Sequence, residues 1–386
     1  MKKILTAFML VIISLTLIGC GNFGSTTTEY TPYPGLCRPG QNDGVYICEK
    51  TYSTYFDTII SFKIYIDDDN QEDIPTIFEE FDTLTEKYHQ LFDKYNEYPN
   101  INNLYTINNS DGPVTVDKEL FDAIKFAIDN EDFLTNDGEL LFNIALHPVL
   151  MIWHEARNSS RCNPTIELGV DYCPIPSEEI LNSDFNINPN DIILDEENLT
   201  IDFAKANMGI DIGGFAKGYF SEIVKEYMSK YDLNYILNLG RSNAYFEGTN
   251  LDKDDGLFYT ALSTPFSLNP YDYYGVVKLG SGTNMVTSGT YQRYFKNVDD
   301  LDDETLYHHI INPTTFYPGG EVTSVTIIYE DGAIGDILST TLFLMSLEDG
   351  LDYVNNFEGL EALWYINEDE IVMSDGFADY LMEPIK

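Results

Sequence analysis

The sequence predicts an α+β fold in which mixed strands and helices form one large domain. Hydrophobic residues make up 44% of the 386 residues and aromatic residues 14%, which supplies a sizeable core and argues against disorder. Apolar runs typical of strands are interspersed with segments whose apolar residues recur at helical spacing. The two kinds of segment do not alternate in a strict strand–helix–strand rhythm, which favours α+β over a parallel α/β sheet.

The predicted elements follow one another along the whole body of the chain. The stretch 58–66 (TIISFKIYI) predicts a strand, and 74–93 predicts a helix because its apolar residues share one face. We predict further helices over 118–133, over 221–231 after a glycine-rich turn, and over 336–347. Further strands are predicted over 235–239, 322–329 and 362–366.

The N-terminus is predicted to be an export signal. Lys2 and Lys3 precede an apolar run over 4–18, and its length of about fifteen residues is short of the roughly 20 that cross a bilayer. The run ends in Leu-Ile-Gly-Cys20, which resembles the lipobox of bacterial lipoproteins. This predicts removal of residues 1–19, diacylation of Cys20 and anchoring to the outside of the cell membrane. The alternative is an ordinary secretory signal with a chance cysteine.

Three segments are predicted in total. After the signal peptide (1–19), residues 20–50 comprise the lipidated cysteine, a flexible tether and a disulfide-bearing lead-in. Residues 51–386 form the main domain, with a polar, Pro- and Asn-rich insertion near 154–200. No second membrane-spanning segment is visible in the sequence.

The remaining cysteines favour an oxidising compartment. Cys37 and Cys48, and likewise Cys162 and Cys173, are eleven residues apart. We expect two local disulfides, although four cysteines permit three pairings. Zinc binding is disfavoured because neither pair has CxxC spacing and no histidine lies near at ligand spacing.

The charge excludes one class of function. Asp and Glu number 64 against 21 Lys and Arg, so the formal net charge is −43. This composition provides no basic surface that could bind a polyanion, which excludes a nucleic-acid binder that depends on phosphate contacts. An anionic ligand would need a locally positive pocket or a bound cation.

One glycine-rich motif is suited to an anion. Asp211-Ile-Gly-Gly-Phe-Ala-Lys-Gly218 precedes a predicted helix, and a helix N-terminus offers free N–H groups to phosphate. Lys217 adds a positive charge. The motif is neither a P-loop nor GxGxxG, so a glycine turn needed only for packing is the alternative.

A second motif supplies hard oxygen ligands. Asp336 and Thr340 are four residues apart on a predicted helix, so both side chains point from one face toward a possible Mg²⁺ or Ca²⁺. The alternative is that Asp336 caps the helix.

His309, in a His-His-Ile-Ile-Asn-Pro stretch, is a candidate general base, whereas His89 and His154 are interpreted as surface residues. Thr287 and Ser288 lack the GxSxG setting of a hydrolase nucleophile.

Taken in order, these motifs resemble those of the FAD:protein FMN transferases, the ApbE-like family. The similarity covers about residues 52–370. The segments that carry it are Asp211–Tyr219, Asn238–Gly240, Thr287–Tyr291, His309–Pro313, Ser324–Thr326 and Asp336–Thr340, with weaker matches at Asp57-Thr58, around Tyr95 and over 142–153.

The resemblance implies an enzyme that moves FMN from FAD to a Thr or Ser hydroxyl of an exported flavoprotein and releases AMP. Asp336 and Thr340, with the carbonyl of Gly214 and with Ser339 beside them, would hold Mg²⁺. His309 would be a general base or a transition-state donor. FAD would be contacted by Tyr95, Asn143, Asp211, Lys217 and the Ile310–Ile311 loop.

The chain departs from the family pattern at several positions. Phe56 replaces a methionine, Asn143 an aspartate, and Arg241 and Phe316 stand where the pattern has glycine. Two alternatives to transfer therefore stay open. One is hydrolysis of FAD to FMN and AMP in the same site, and the other is a non-enzymatic lipoprotein that binds a flavin or another solute.

Overall fold

The computed structural model describes residues 32–68, 72–130, 135–136, 139–167, 169–269 and 271–385. The predicted signal peptide, Cys20 and most of the predicted tether lie outside these ranges. Among the described residues, no helix is both long enough and apolar enough to cross a membrane.

The described residues form an α+β fold of helices packed on mixed sheets. The helices are α1 (Ile74–Phe92), α2 (Leu104–Asn108), α3 (Lys118–Asp129), α4 (His147–Arg157), α5 (Glu178–Leu181), α6 (Ala216–Met228), α7 (Gly332–Leu344) and α8 (Leu347–Asn355). The strands are β1 (Cys37–Pro39), β2 (Tyr46–Tyr52), β3 (Ile60–Ile66), β4 (Val114–Thr115), β5 (Thr135–Asn136), β6 (Glu139–Leu140), β7 (Asn163–Glu167), β8 (Val170–Cys173), β9 (Ile192–Asp195), β10 (Thr200–Phe203), β11 (Asn234–Leu239), β12 (Asn243–Glu247), β13 (Phe258–Ser263), β14 (Tyr273–Leu279), β15 (Thr283–Gly289), β16 (Tyr294–Asn297), β17 (Tyr307–His308), β18 (Ser324–Tyr329), β19 (Glu361–Asn367) and β20 (Glu370–Met373).

A nine-stranded antiparallel sheet is the centre of the molecule. Its order is β1-β2-β3-β11-β12-β15-β18-β19-β20. Smaller sheets have the orders β4-β10-β9 and β17-β16-β8-β7, and β13 pairs with β14 alone among the described strands. Only β16 and β8 are parallel among these described pairs, which agrees with the predicted α+β class.

Helices cover one face of the central sheet. Phe62 of β3 stacks on Phe81 of α1 with ring centroids 4.5 Å apart, and Phe220 of α6 joins the same core. Farther along the sheet, Leu338 of α7 packs with Trp364 of β19. Burying one such large apolar side chain contributes about 1.5–3 kcal/mol, so these contacts fix α6 and α7 on the sheet.

The opposite face is covered by the β13–β14 hairpin. Phe258, Leu262 and Val277 of the hairpin are buried against Phe246 of β12 and Leu363 of β19. The hairpin therefore packs across the central sheet. Val277 of β14 also bridges Leu381, whereas β13 pairs with no described strand other than β14.

Both predicted local disulfides are present. Cys37 bonds to Cys48 across the β1–β2 pair, and Cys162 bonds to Cys173. The region of the predicted insertion, 154–200, contributes β7 and β8 to one small sheet, and β9 and the start of β10 to another.

Several predicted helix boundaries were wrong. The helix predicted over 118–133 ends at Asp129, and the helix predicted over 221–231 is α6, which starts at Ala216 inside the glycine motif. The helix predicted from 336 begins four residues earlier and ends at Leu344. Both early starts arise from glycines that permit close packing, which local sequence patterns do not report.

Candidate active site

One cavity gathers the residues that the sequence singled out. It has a volume of about 250 Å³ and is lined by the start of α6, the second and third turns of α7, the end of β15 and one face of α4. The predicted site residues on its wall are Tyr95, Asn143, Asp211, Gly214, Lys217, His309, Ile310, Ile311, Asp336, Ser339 and Thr340. The two motifs thus meet, although Gly218 and Asp336 are 118 positions apart in the chain.

Asp336 is a buried carboxylate that joins α7 to α6. Its Oδ2 accepts the backbone N–H of Gly218 at 2.6 Å, and its Oδ1 accepts from Asn243 Nδ2 at 3.3 Å. The helix-cap interpretation was wrong, because Asp331 caps α7 through the N–H of Ile334 at 2.8 Å. Burial raises the pKa of Asp336 to about 6, although Lys217 and the two hydrogen bonds oppose the shift.

Hydroxyl groups cluster beside this carboxylate. Ser288 Oγ of β15 lies 2.8 Å from Ser339 Oγ and 3.4 Å from Thr340 Oγ1. Ser339 Oγ also donates to the carbonyl oxygen of Asp336 at 3.0 Å. The three hydroxyls and the Asp336 carboxylate give the cavity a set of hard oxygen donors on one wall.

This donor set fits a magnesium ion that is held partly by the protein and partly by water and substrate, rather than one bound by protein ligands alone. Nowhere in the described part of the chain do three or more His, Cys, Asp or Glu side chains gather as a metal cluster. Mg²⁺ typically takes one or two protein carboxylates and completes its shell with water and substrate phosphates. A single buried carboxylate with neighbouring hydroxyls matches that pattern.

Asp211 holds the glycine loop through an ion pair. Its Oδ2 pairs with the Lys94 ammonium, and its Oδ1 accepts the N–H of Gly213 at 2.8 Å. Burial raises the pKa of Asp211, but Lys94, His147 and the hydrogen bonds outweigh it and lower the value below the ordinary one. Both oxygens are therefore engaged, and the carboxylate fixes the loop that leads into α6.

Two aromatic rings line the mouth next to this pair. The Lys94 ammonium lies 5.1 Å from the ring centroid of Tyr95, and Tyr95 stacks on His154 at 4.5 Å. The interpretation of His154 as a surface residue was wrong, because its ring lines the cavity and is half-buried. The stacked pair gives the mouth a flat, apolar surface.

Three further cations surround the cavity. Lys217 makes no hydrogen bond or ion pair within the described residues, and burial lowers its pKa although Asp336 opposes the shift. Arg293 donates to the carbonyl oxygen of Asp57 at 3.1 Å. Burial, and then the positive charge of Arg293, lower the pKa of the Arg157 guanidinium. A locally positive pocket thus exists in a chain of net charge −43, as an anionic ligand requires.

Sequence reasoning missed both arginines. Arg293 lies two residues after the Thr287–Tyr291 motif, so its position was a usable signal. Arg157 is four residues after Trp153 on α4, and both line the cavity. The face that α4 presents depends on tertiary packing, so no local pattern indicated this arginine.

His309 faces the cavity and is accessible from it. Its ring has no hydrogen-bond partner among the described residues. Desolvation inside the cleft and the charges of Arg293, His308 and Lys217 lower its pKa, so the imidazole is neutral at physiological pH. A neutral imidazole can accept a proton, and a phosphate bound among these cations would raise its basicity.

Three predicted FAD contacts are largely committed to the fold. Asn143 accepts the N–H of Ala145 and donates to the carbonyl of Ile187, both at 2.8 Å. Ile310 and Ile311 are 7% and 5% exposed and belong to two different apolar clusters. These residues line the cavity, and their hydrogen bonds and apolar packing also hold the cavity walls in place.

Comparisons with known proteins point to one protein family. Residues 56–364 match the sequence model of the ApbE family. A relative from Klebsiella pneumoniae (strain 342), named FAD:protein FMN transferase, is 28% identical over 265 residues, which is 68% of this chain and 73% of the relative. A relative of the same name from Treponema pallidum (strain Nichols) is 25% identical over 281 residues, 69% and 71% of the two chains.

Solved structures share the fold. The apbe protein of Thermotoga maritima superposes with a TM-score of 0.70 and 24% identity over 87% of this chain and 100% of that one. Flavin Transferase ApbE from Vibrio cholerae gives a TM-score of 0.65 and 21% identity over 87% and 100%. The family match spans most of the sequence and includes every residue on the cavity wall, so this chain is a member of the ApbE family.

Proposed function

We propose that this chain transfers FMN from FAD to a Thr or Ser hydroxyl of an exported flavoprotein, with Mg²⁺ as cofactor. The observation that carries the proposal is that the Asp336 carboxylate, the Ser288–Ser339–Thr340 hydroxyls and Lys217 converge in one cavity. Lys217 has no hydrogen bond or ion pair within the described residues. The relatives named FAD:protein FMN transferase support it.

The proposed reaction is a phosphoryl-type transfer. The acceptor oxygen forms a bond to the phosphorus on the FMN side of the FAD diphosphate, and the bond from that phosphorus to the bridging oxygen breaks. AMP leaves with that oxygen, and the hydroxyl proton passes to a base. Such reactions depend on positioning and on neutralising charge more than on covalent help from the protein.

The residues of this chain have distinct proposed roles. Lys217, Arg157 and Arg293 attract the diphosphate and offset its charge, because they are the cations that face the cavity without a carboxylate partner in the described structure. Neutral His309 accepts the hydroxyl proton. Asp336, Thr340 and the Gly214 carbonyl would hold Mg²⁺, which when bound counters the negative charge that develops on the leaving phosphate.

We also propose that the mature protein is held at the outer face of the cell membrane through Cys20. The lipobox-like sequence before Cys20 and the two disulfides support an extracytoplasmic location. Replacing Cys20 by Ala should release the full-length protein from the membrane fraction. Retention of the Cys20→Ala protein in that fraction would contradict the anchor.

Covalent labelling of an acceptor tests the transfer. The soluble domain is incubated with FAD, Mg²⁺ and an acceptor flavoprotein domain that the Klebsiella pneumoniae relative is seen to flavinylate in a parallel reaction. We expect flavin fluorescence on the acceptor in a denaturing gel with the wild type and with Asp111→Ala, an exposed control. We expect none with Asp336→Ala.

The same reaction distinguishes the alternatives. AMP release at equal rates with and without acceptor, and no labelled acceptor, would favour FAD hydrolysis. Binding of FAD without either product, unchanged in Asp336→Ala, would favour a flavin-binding protein and would contradict the transferase.

A further inference from the structure

A second cavity adjoins the candidate active site. Its volume is about 880 Å³, and it shares wall residues with the first cavity at Gly240, Thr287 and Arg293. The two cavities are therefore adjacent at the ends of β11 and β15. A transferase needs an approach for a second substrate, and this space borders the proposed active site.

One wall of the second cavity is the edge of a strand. Five consecutive positions, 260–264, line it, and they cover most of β13 and the residue after it. From the partner strand β14 only Tyr274 lines the cavity. Because consecutive side chains of a strand point to opposite faces, a continuous run of lining residues means that the cavity runs along the backbone.

That strand edge is unpaired within the described structure. β13 pairs with β14 on one side, from Phe258 opposite Leu279 to Ser263 opposite Tyr273. No other described strand pairs with β13. Its remaining N–H and C=O groups are a ready template for an added strand.

A buried polar atom lies between the two cavities. Asn243 is 1% exposed and lines the second cavity, while its Nδ2 donates to Asp336 Oδ1 at 3.3 Å. Its Oδ1 is buried and has no hydrogen-bond partner in the described part of the chain. An unsatisfied buried oxygen is costly, so a donor from a ligand at this junction would stabilise the complex.

Apolar side chains border the same space. Phe266 and Leu268, in the loop after β13, line the second cavity and are 42% and 76% exposed. Exposed apolar side chains next to an open strand edge are typical of a surface that receives a polypeptide.

We propose that the acceptor polypeptide binds here as an extended segment that pairs with the free edge of β13 and presents its hydroxyl toward Thr287 and Arg293. The inference rests on the proposed FMN transfer and specifies how the second substrate enters. Main-chain hydrogen bonds supply the affinity in strand addition, while the cavities select side chains. The segment must therefore be extended and free of proline where it pairs.

Two measurements test this docking. Ala261 is an exposed residue of β13 on the cavity wall, so Ala261→Trp would fill the groove, whereas Ala206→Trp places the same ring at an exposed site outside both cavities. We expect Ala261→Trp to lower transfer to a subsaturating acceptor domain by about tenfold or more. FAD binding, AMP release without acceptor and the thermal midpoint should match those of Ala206→Trp.

Hydrogen exchange provides the second measurement. The wild type loaded with FAD is mixed with the acceptor domain whose target hydroxyl residue is replaced by Ala, so that binding occurs without turnover. We expect amides over 257–263 to exchange about tenfold more slowly or slower still.

The outcomes separate docking from transfer. Normal transfer by Ala261→Trp, or acceptor binding that leaves 257–263 unprotected, would overturn the strand-addition proposal while the transferase proposal stands. Protection of 257–263 without any labelling by the wild type would support docking and contradict the transfer. Absence of both would overturn both.

Discussion

The backbone N–H of Gly218 on α6 donates to the carboxylate of Asp336 on α7 at 2.6 Å. This bond requires the two helices to be in direct contact. A Cβ atom on Gly218 would lie 1.9 Å from the carbonyl oxygen of Gly332, the first residue of α7. The glycine therefore positions Asp336 by allowing a close approach of backbones.

Gly218→Ala should disrupt this contact. We expect a loss of about 1–3 kcal/mol in the free energy of unfolding, because the added methyl group meets backbone and forces the helices apart. Flavin transfer should fall with it, since Asp336 loses a hydrogen bond. Urea unfolding and acceptor labelling measure both effects. Gly280→Ala is the control because nothing lies within 4 Å of the added atom, and equal behaviour of the two variants would contradict the packing argument.

Asp336→Asn should stabilise the protein while it abolishes transfer. The pKa of Asp336 is raised from 3.8 to about 6 by burial, so the native state disfavours the charged form and its stability falls as the pH rises from about 4 to 6. A neutral amide removes that penalty. Asn243 can turn to accept from it through Oδ1, which has no hydrogen-bond partner among the residues that the structure describes. We expect about 1–3 kcal/mol of added stability at pH 7.5 without divalent cations. A destabilised Asp336→Asn protein would show that the buried charge of Asp336 does not destabilise the native state.

Lys217→Met should weaken FAD binding without destabilising the fold. Lys217 has no hydrogen bond or ion pair in the described structure, so its removal breaks neither and costs only its electrostatic attraction to Asp336. Loss of one charge-assisted contact to phosphate should raise the dissociation constant for FAD by about 10- to 100-fold. Fluorescence titration gives the constants, with Lys278→Met as a control outside both cavities. Unchanged affinity would place the diphosphate elsewhere.

His308→Asn should flatten the acid limb of the stability profile. His308 is 7% exposed, and burial lowers its pKa from 6.5 to about 4. The unfolded chain takes up the proton first, so stability present above pH 6.5 is lost as the pH falls toward 4, by about 3 kcal/mol in total. Asn can still accept the N–H of Ile310, as His308 Nδ1 does at 3.2 Å. Unfolding free energies from pH 7.5 to 4 should show a slope smaller by about one proton, and an unchanged slope would contradict the assignment.

Arg241→Gly should stabilise the chain. Arg241 has a φ of 64° in the loop between β11 and β12, a left-handed conformation that disfavours side chains. Glycine removes that strain but gives the unfolded chain more freedom, which leaves a net gain of about 0.5–1 kcal/mol. Ala206→Gly, at a position without positive φ, should instead lower stability. A loss in Arg241→Gly comparable to that control would mean that the arginine side chain stabilises the loop.

Local sequence patterns were sufficient for the regular elements but not for their contacts. The strand over 60–66 and helix α1 were predicted nearly to the residue, because their apolar periodicity is strong. The start of α6 was missed because glycine disfavours helix interiors, whereas Gly218 lies inside this helix for the sake of packing against Gly332.

For the candidate site, the sequence likewise indicated many of the residues but not all of their contacts. Motif resemblance indicated which residues share the cavity, including Asp336, Lys217 and His309. It gave no information on Lys94 as the partner of Asp211, or on Arg157, because long-range ion pairs and the face of α4 are set by tertiary packing.

The stoichiometry of products is the sharpest test of FMN transfer by this chain. AMP and covalently bound flavin are quantified in the same reaction of wild-type protein, FAD, Mg²⁺ and acceptor domain, by chromatography and by intact mass spectrometry. We expect equal amounts of AMP and flavinylated acceptor, both lost on chelation of Mg²⁺ and in Asp336→Ala. AMP in large excess over labelled acceptor, or labelling that persists in Asp336→Ala, would contradict the proposed transfer.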